Sequence, residues 1–370
     1  MSNENAVRTT KNRFMIRTEK RDQLPKNKEI TLRLIALFLA LFAGAVFIFL
    51  IGYNPLAVYQ TFVEGAFRSK LAIYGTVKIM IPLLITSLGI TLAFKMKFWN
   101  IGGEGQIIMG AAFASYFGMF YGDWPQYILI PVMLIAGMIG GGLTGLLPAY
   151  FKAKYNTNET LFTLMLNYIA LNFVVYLREG PWADPTSPGY KKFALFTTNG
   201  RLGKLFGVHV GWVIALILLV VVFIYLKYTK HGYEIDVVGE SKATANYAGM
   251  NVKKIILRTM FLSGGICGIA GMIEVSGNAG TMSEGITRGV GFTGIIVAWL
   301  AGLKPWSIFI IAALFSIMEK GSSVVESTFG LSEASADVLQ GIVLFFVIGC
   351  EFFIRYKFTV SKKGGTNSCQ

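Results

Sequence analysis

The amino-acid sequence predicts an all-α, polytopic integral membrane protein with about ten transmembrane helices, two of them short, and with both termini in the cytoplasm. The 370 residues are 54% hydrophobic and only 15% charged, with a mean hydropathy of +0.57, whereas soluble domains carry roughly 25% charged residues. Several charge-poor runs are long enough to cross a bilayer, and basic residues are unevenly distributed between them. The composition therefore excludes an ordinary soluble globular protein.

Eight apolar runs each reach the roughly 20 residues that a transmembrane helix needs. They cover residues 34–53, 71–94, 101–121, 127–150, 160–177, 208–226, 255–275 and 337–353. Before the last run lie two shorter segments, 289–302 and 305–318. Because each is short, the pair forms either two sheltered short helices or a re-entrant hairpin. Either arrangement leaves both termini on the same side of the membrane.

Basic residues set the predicted orientation. The chain has 34 Lys and Arg against 20 Asp and Glu, a net charge of +14, and most of the basic residues lie on the side that holds the termini. Cytoplasmic loops carry this excess in membrane proteins. We therefore expect an extracytoplasmic loop at 178–207 and a cytoplasmic loop at 227–254, the latter about one small helix in size.

The same pattern divides the chain into three parts. A basic cytoplasmic tail covers 1–30, a transmembrane domain covers 31–356, and a cytoplasmic C-terminal tail covers 357–370. The N-terminal tail is too long and polar for a signal peptide, although Ala43-Gly44-Ala45 could imitate a cleavage site. We interpret the tail and the first span as an uncleaved anchor.

Catalytic and metal chemistry are disfavoured. Cys267, Cys350 and Cys369 are far apart and odd in number, so they predict neither a disulfide framework nor a metal cluster. His209 and His231 lie near membrane edges, outside any HExxH or GxSxG pattern. The chain also has no GxxxxGK[ST] phosphate loop. We therefore expect no catalytic residue, no metal and no bound cofactor in this chain.

Small residues recur at four-residue spacing on two spans. One set is Gly141 and Gly145; the other comprises Ser263, Gly264, Cys267, Gly268 and Gly271. Small residues let helix backbones approach closely in membranes. These stripes predict tight helix packing and no binding site.

Residues 99–106 place a carboxylate and two amides among three glycines where a span opens towards the cytoplasm. The candidate path or gating residues here are Asn100, Gly102, Glu104 and Gln106. Intramembrane carboxylates are costly, and an interrupted helix start exposes backbone donors to a ligand. Alternatively, Glu104 caps its own helix or pairs with Lys95 or Lys97.

A second polar cluster begins the span at 160–177. Asn158 can cap that helix and Glu159 faces its positive end. Asn167 lies in mid-span, so it either finds a hydrogen-bond partner or lines a wet path. Asn158, Glu159 and Asn167 complete the candidate translocation path.

Lys78 is the remaining deep ionisable residue, and with Glu104 it forms the ion-linked pair that a secondary carrier would need.

The segment 239–250 predicts a short cytoplasmic helix of about two turns. Ser241 is a good N-cap, the alanines favour helix, and Gly249 ends it. Such a helix suits docking into a groove of a soluble partner, although it could also be a mere connector. The candidate coupling residues are Glu240, Ser241, Ala243, Ala245, Tyr247, Ala248 and Gly249.

This segment resembles the coupling-helix region of ABC importer permeases in the family that handles branched-chain amino acids, simple sugars and nucleosides. Residues 98–106 look like the family's FNIG-x-EGQ signature, with Trp99 as an added or replacing residue. Residues 158–169 resemble its NE-x(5)-MLNYIA stretch, and 291–302 resemble GFDAIAVALLGG. Thr293 and Trp299 depart from that last pattern. The first two stretches are most similar to the nucleoside (basic-membrane-protein-linked) branch.

The resemblance implies a ten-helix permease subunit in a bacterial plasma membrane. Its partners would be a second, paralogous permease, two ATPases that bind ATP and Mg²⁺, and an extracellular substrate-binding lipoprotein. The implied function is ATP-driven nucleoside import by alternating access. A simple-sugar permease is the alternative within the family, and a secondary carrier the alternative outside it.

Overall fold

The computed structural model describes residues 14–20, 26–187, 189–330 and 356–362, together with 338–339, 341–342, 345–346 and 349–350. The described chain is mostly helical. Its helices are α1 (Lys26–Leu50), α2 (Pro55–Phe67), α3 (Lys70–Lys95), α4 (Gly103–Phe120), α5 (Gln126–Tyr155), α6 (Glu159–Glu179), α7 (Gly211–Tyr228), α8 (Lys230–Glu240), α9 (Lys242–Tyr247), α10 (Val252–Ile273), α11 (Val290–Leu300) and α12 (Pro305–Phe329). The strands are β1 (Phe14–Lys20), β2 (Lys204–Leu205), β3 (Val208–His209) and β4 (Tyr356–Lys362). A 3-10 turn covers Thr198–Gly200, and a π-helix covers Glu274–Ala279.

Among the described residues, 6 helices are long and apolar enough to cross a membrane, or 7 if the bent pair α1 and α2 counts as one span. The six are α3, α5, α6, α7, α12 and α10 with its π-helical extension. This confirms a multi-pass helical protein. Helix α4 forms where the span 101–121 was predicted, and most of its residues are buried inside the protein. The predicted span 337–353 lies largely outside the described residues.

The first unit of the chain comprises Met1–Thr61 and Val325–Gln370. In it, β1 pairs antiparallel with β4, with Phe14 opposite Lys362. The predicted span 34–53 ends close to the end of α1, at a bend of 116° that leads into α2, a helix that the sequence analysis did not predict. Gly52 adopts a positive φ of 97° there, which glycine allows, and proline favours the first position of the next helix.

The second unit comprises Phe62–Val324, and α10 packs at its centre against α5, α4 and α3. The predicted small-residue stripes form this contact. A Cβ on Gly268 would collide with the Gly137 carbonyl oxygen, and one on Gly264 with the Gly141 carbonyl oxygen. The backbones of α5 and α10 are therefore in direct contact, as the sequence predicts.

The predicted pair of short segments is only half correct. Helix α11 is short, with 11 residues, whereas α12 continues past residue 318 to Phe329 and has 25 residues. Glu319 and Lys320 directly follow the predicted segment 305–318. Those two side chains line a cavity, so they do not interrupt the helix.

The segment 227–254 contains two helices, α8 and α9, instead of the single small helix predicted. Helix α8 is held by ion pairs from Arg258 to Glu234 (2.8 Å) and from Lys95 to Asp236 (3.1 Å). Helix α9 projects from this base. Ion pairs thus connect α8 to α10 and α3, and a short, mostly exposed α9 follows it.

The loop 178–207 packs onto the end of α10. The Ser276 hydroxyl donates to the Gly200 carbonyl oxygen at 2.7 Å, and the Leu202 amide donates to the Ser276 carbonyl oxygen at 3.0 Å. The predicted span 208–226 starts later than expected, since β3 occupies 208–209 and α7 begins at Gly211. The loop and the small β2–β3 hairpin thus cover the π-helix.

Candidate functional site

Asn100 organises the start of α4. Its side chain is fully buried, and its Oδ1 accepts hydrogen bonds from the Gly102 amide (3.0 Å) and from Nε2 of Gln106 (3.1 Å). Its Nδ2 donates to Oε1 of Gln106 at 3.2 Å. Asparagine commonly bonds its own backbone two residues on, in place of regular structure. The two amides therefore fix the turn that precedes α4.

Asn167 joins this turn from α6. Its Oδ1 accepts from the Gly105 amide at 2.8 Å, and its Nδ2 donates to the Ile101 carbonyl oxygen at 3.0 Å. Of the two alternatives from the sequence, Asn167 thus has hydrogen-bond partners, and they are backbone groups of α4 and the turn before it. The side chain fastens α6 to the start of α4.

Glu104 links α4 to α11. One carboxylate oxygen accepts from the Thr287 hydroxyl, and the other accepts from the Gly291 amide at 2.7 Å. The side chain is buried, and a carboxylate at a helix N-terminus is stabilised by the helix dipole. Glu104 therefore lies in the first turn of its own helix and also caps α11. The alternative pairing with Lys95 is wrong, because Lys95 pairs with Asp236.

We call the set Asn100, Glu104, Gln106, Asn167 and Thr287 the polar junction. It brings together four of the predicted path residues, with Gly102 in its turn. Sequence reasoning missed Thr287, whose hydroxyl is an ordinary feature of a loop before a helix. No spacing in the sequence relates it to Glu104.

Asn158 and Glu159 lie outside the polar junction. The Asn158 Oδ1 accepts from the amides of Thr160 (3.0 Å) and Leu161 (3.2 Å), which confirms its role as N-cap of α6. Glu159 forms an ion pair with Lys152 at 2.8 Å. Both side chains are thus engaged at the surface start of α6.

The predicted short helix is present as α9. The Ser241 hydroxyl accepts from the Thr244 amide at 3.2 Å, and Gly249 ends the segment with a φ of 74°. Ala245 is buried against the rest of the chain, while Tyr247 is 95% exposed. Ala243, Ala248 and Gly249 are exposed as well. The candidate coupling residues therefore share one projecting segment.

A cavity of about 280 Å³ lies beside the polar junction. It is bounded by α3, the π-helix, the loop before α11, and α12. Its ionisable and polar lining residues are Lys78, Glu274, Asn278, Thr287, Arg288, Glu319 and Lys320. Sequence reasoning singled out Lys78 among these residues and did not bring the other charges together with it. The sequence did contain a signal for this cavity, because ionisable residues inside apolar spans face the protein interior or a wet cavity.

His209 is buried just before α7. Burial, followed by the nearby positive charge of Lys78, lowers the pKa of His209 to about 4. The ring packs against Gly277 of the π-helix and against Gly211. At neutral pH this histidine is therefore an uncharged packing element.

Two tryptophans that depart from the family pattern stack on each other. The ring centroids of Trp99 and Trp299 are 5.5 Å apart, and Phe94 lies 5.7 Å from each. They join the turn before α4 to the end of α11. An aromatic pair of this kind contributes about 0.5–1.5 kcal/mol beyond its buried area. The two departures from the family pattern are therefore in direct contact.

The fold and the site define a multi-pass helical membrane protein whose hydrogen-bonded junction connects three helices beside a charged cavity. Comparison with known proteins gives the family. The family described as "Branched-chain amino acid transport system / permease component" matches residues 71–348. The chain belongs to this family.

Curated relatives match over most of their length. The guanosine ABC transporter permease protein NupP of Bacillus subtilis is 30% identical over 90% of this chain and 97% of its own. The nucleoside ABC transporter permease protein NupB of Lactococcus lactis is 30% identical over 87% of this chain and 91% of its own. The glucose ABC transporter permease protein TsgB13 of Haloferax volcanii is 27% identical over 86% of this chain and 87% of its own.

Proposed function

We propose that this chain is the transmembrane permease subunit of an ATP-driven ABC importer that translocates nucleosides by alternating access. The observation that carries the proposal is the 30% identity, over nearly the full length, to permeases described as guanosine and nucleoside transporters. A simple-sugar permease is the second candidate, because a glucose permease is 27% identical over a similar share of the chain.

The chain has no phosphate-binding loop of its own, so ATP and Mg²⁺ would be bound by separate ATPase subunits. The other proposed partners are a second, paralogous permease and an extracellular substrate-binding lipoprotein. The complex would lie in the plasma membrane of a bacterium. In the finer arrangement, about ten helices cross that membrane, and both termini are cytoplasmic by the positive-inside rule.

The segment from Glu240 to Gly249 is the proposed contact for the ATPase. Its short helix α9 is capped at one end, stopped at the other, and exposed at Tyr247. Helix α8 is tied to α10 and α3 by the ion pairs of Glu234 and Asp236. A push on α9 would therefore pass to two spans of the core.

The polar junction is the proposed gate or wall of the path. It links α4, α6 and α11 through side chains that hold backbone groups of neighbouring elements. A relative movement of these helices would break hydrogen bonds at Asn167 and Glu104. In the proposed mechanism, the junction is joined in one state and separated in the other, as alternating access requires.

Mass spectrometry of whatever co-purifies with the chain from gently solubilised membranes tests the assignment. We expect an ATPase with a phosphate-binding loop and a second polytopic permease. A chain that repeatedly purifies alone, and still moves solute in liposomes, would instead be a secondary carrier, and α9 would be only a connector.

A further inference from the structure

The charged cavity is lined by ionisable residues from separate parts of the second unit. Lys78 comes from α3, Glu274 from the π-helix, Arg288 from the loop before α11, and Glu319 and Lys320 from α12. Four of these five residues lie within helices that are long and apolar enough to span a membrane. Ionisable residues in such helices are costly, and their common purpose is a ligand or ion path.

The lining has a specific chemical composition. Two carboxylates and one carboxamide, from Glu274, Glu319 and Asn278, line the same space as three cationic side chains. Asn278 donates to Oε2 of Glu274 at 2.7 Å, so this carboxylate has a fixed orientation with a second oxygen remaining. The π-helix that carries both residues is a rare form that often occurs at functional sites.

A nucleoside presents two kinds of groups to such a lining. Its ribose carries a vicinal diol, and a carboxylate is the group that proteins use to accept hydrogen bonds from ribose hydroxyls. Its base carries ring nitrogen and carbonyl acceptors, which Arg and Lys donate to. Since the lining holds both sets of partners, it matches an uncharged nucleoside better than it matches an inorganic anion.

We propose that this cavity is a nucleoside-binding station within the permease, in which Glu274 and Glu319 accept the ribose hydroxyls and Lys78, Arg288 and Lys320 bind the base. The inference rests on the proposed nucleoside function and adds the residues and the part of the ligand they recognise. Thr287 lines the cavity and also bonds Glu104. Occupancy of the station is thereby linked to the polar junction that joins α4 and α11.

The test is equilibrium binding to the assembled importer in lipid nanodiscs, without the substrate-binding protein. Guanosine and 2′,3′-dideoxyguanosine are the probes. We expect dideoxyguanosine to bind at least about tenfold more weakly, because it lacks both hydroxyls that the carboxylates accept. In Glu274→Leu and Glu319→Leu, which remove the acceptor oxygens, the difference should shrink to less than about threefold. Glu326→Leu, on α12 with Glu319 but outside the cavity lining, should keep the full difference.

The proposed nucleoside-binding station would be wrong if the two nucleosides bound with equal affinity. It would also be wrong if the preference for guanosine were unchanged in both cavity variants. Labelling of wild-type importer with 8-azidoguanosine is independent of variant folding. It should modify peptides of α3, the π-helix or α12, and labelling confined to other helices contradicts the proposal. If guanosine uptake is driven by ATP but both probes bind equally well, only the nucleoside-binding station is contradicted, and the proposed function stands. Absence of guanosine uptake defeats the proposed function.

Discussion

At the residue scale, Glu104 shows how one side chain serves two elements. Its carboxylate lies on α4, and its partners belong to α11 and the loop before it. Replacing Glu104 by Ala leaves the Gly291 amide and the Thr287 hydroxyl buried without this acceptor. Each unsatisfied buried group costs about 1–3 kcal/mol.

We therefore expect Glu104→Ala to lower the free energy of unfolding of the solubilised protein by at least about 2 kcal/mol. Its thermal midpoint should fall accordingly. Glu104→Gln keeps one acceptor oxygen and should lose less. Differential scanning fluorimetry in detergent measures both, with Glu326→Ala as the matched control on α12. Equal stability of Glu104→Ala and wild type would show that the carboxylate does not hold α11.

His209 gives a pH prediction. Its pKa in the folded protein is about 4, below the ordinary value of about 6.5, so the unfolded chain binds the proton more readily. The contribution of His209 to the free energy of unfolding is fully present above pH 6.5 and is lost as the pH falls towards 4. The loss should reach about 2 kcal/mol by pH 5.

The pH dependence of the thermal midpoint between pH 7.5 and 5 checks this expectation. His209→Phe fills the same space without a titrating group, so its midpoint should fall less steeply than that of the wild type. If the thermal midpoints of the two proteins fell equally with pH, His209 would not be buried in its uncharged form.

At the element scale, the contact between α5 and α10 depends on glycine. Gly268→Leu would place a branched side chain where the Gly137 carbonyl oxygen lies. Overpacking of a tight contact costs about 1–3 kcal/mol or more. We expect this variant to lose most of its membrane-inserted, monodisperse protein in size-exclusion chromatography. Gly285→Leu is the control, because nothing lies within 4 Å of a Cβ there, and it should behave as wild type.

Helix α9 allows the coupling role to be separated from folding. Gly249 has a φ of 74° with open space around it, so a β-branched residue there meets backbone strain and no clash. We expect Gly249→Val to abolish ATP-driven uptake while the protein remains in the membrane. Gly249→Asn, which tolerates positive φ, should retain most of the uptake. Normal uptake in Gly249→Val would end the coupling role for this segment.

The elements also show which predictions the sequence supports. Apolar length located most spans, and side chains that act on their own backbone were correctly placed, as with Asn158 and Ser241. Helix α2 was not predicted, because with 13 residues it is shorter than the apolar runs that were taken as spans. The extent of α12 was missed because a charge cut-off cannot distinguish a helix end from a side chain facing a cavity. The partners of Glu104 were missed because they are 183 and 187 residues away.

At the scale of the whole molecule, the structure and the family agree on a multi-pass permease. Its second unit is a tightly packed helical core with a charged cavity and an exposed short helix. In the proposed function these parts have separate tasks: the core provides the path, and the exposed helix receives the movement. The account predicts that neither part transports without an ATPase.

Uptake of labelled guanosine into proteoliposomes containing the chain with its co-purified partners tests this account most directly. We predict uptake that requires ATP and the substrate-binding protein, persists when the proton gradient is collapsed, and is not reduced by excess ribose or glucose. Uptake that follows the proton gradient without ATP, or ATP-driven uptake of sugar in place of guanosine, would contradict it.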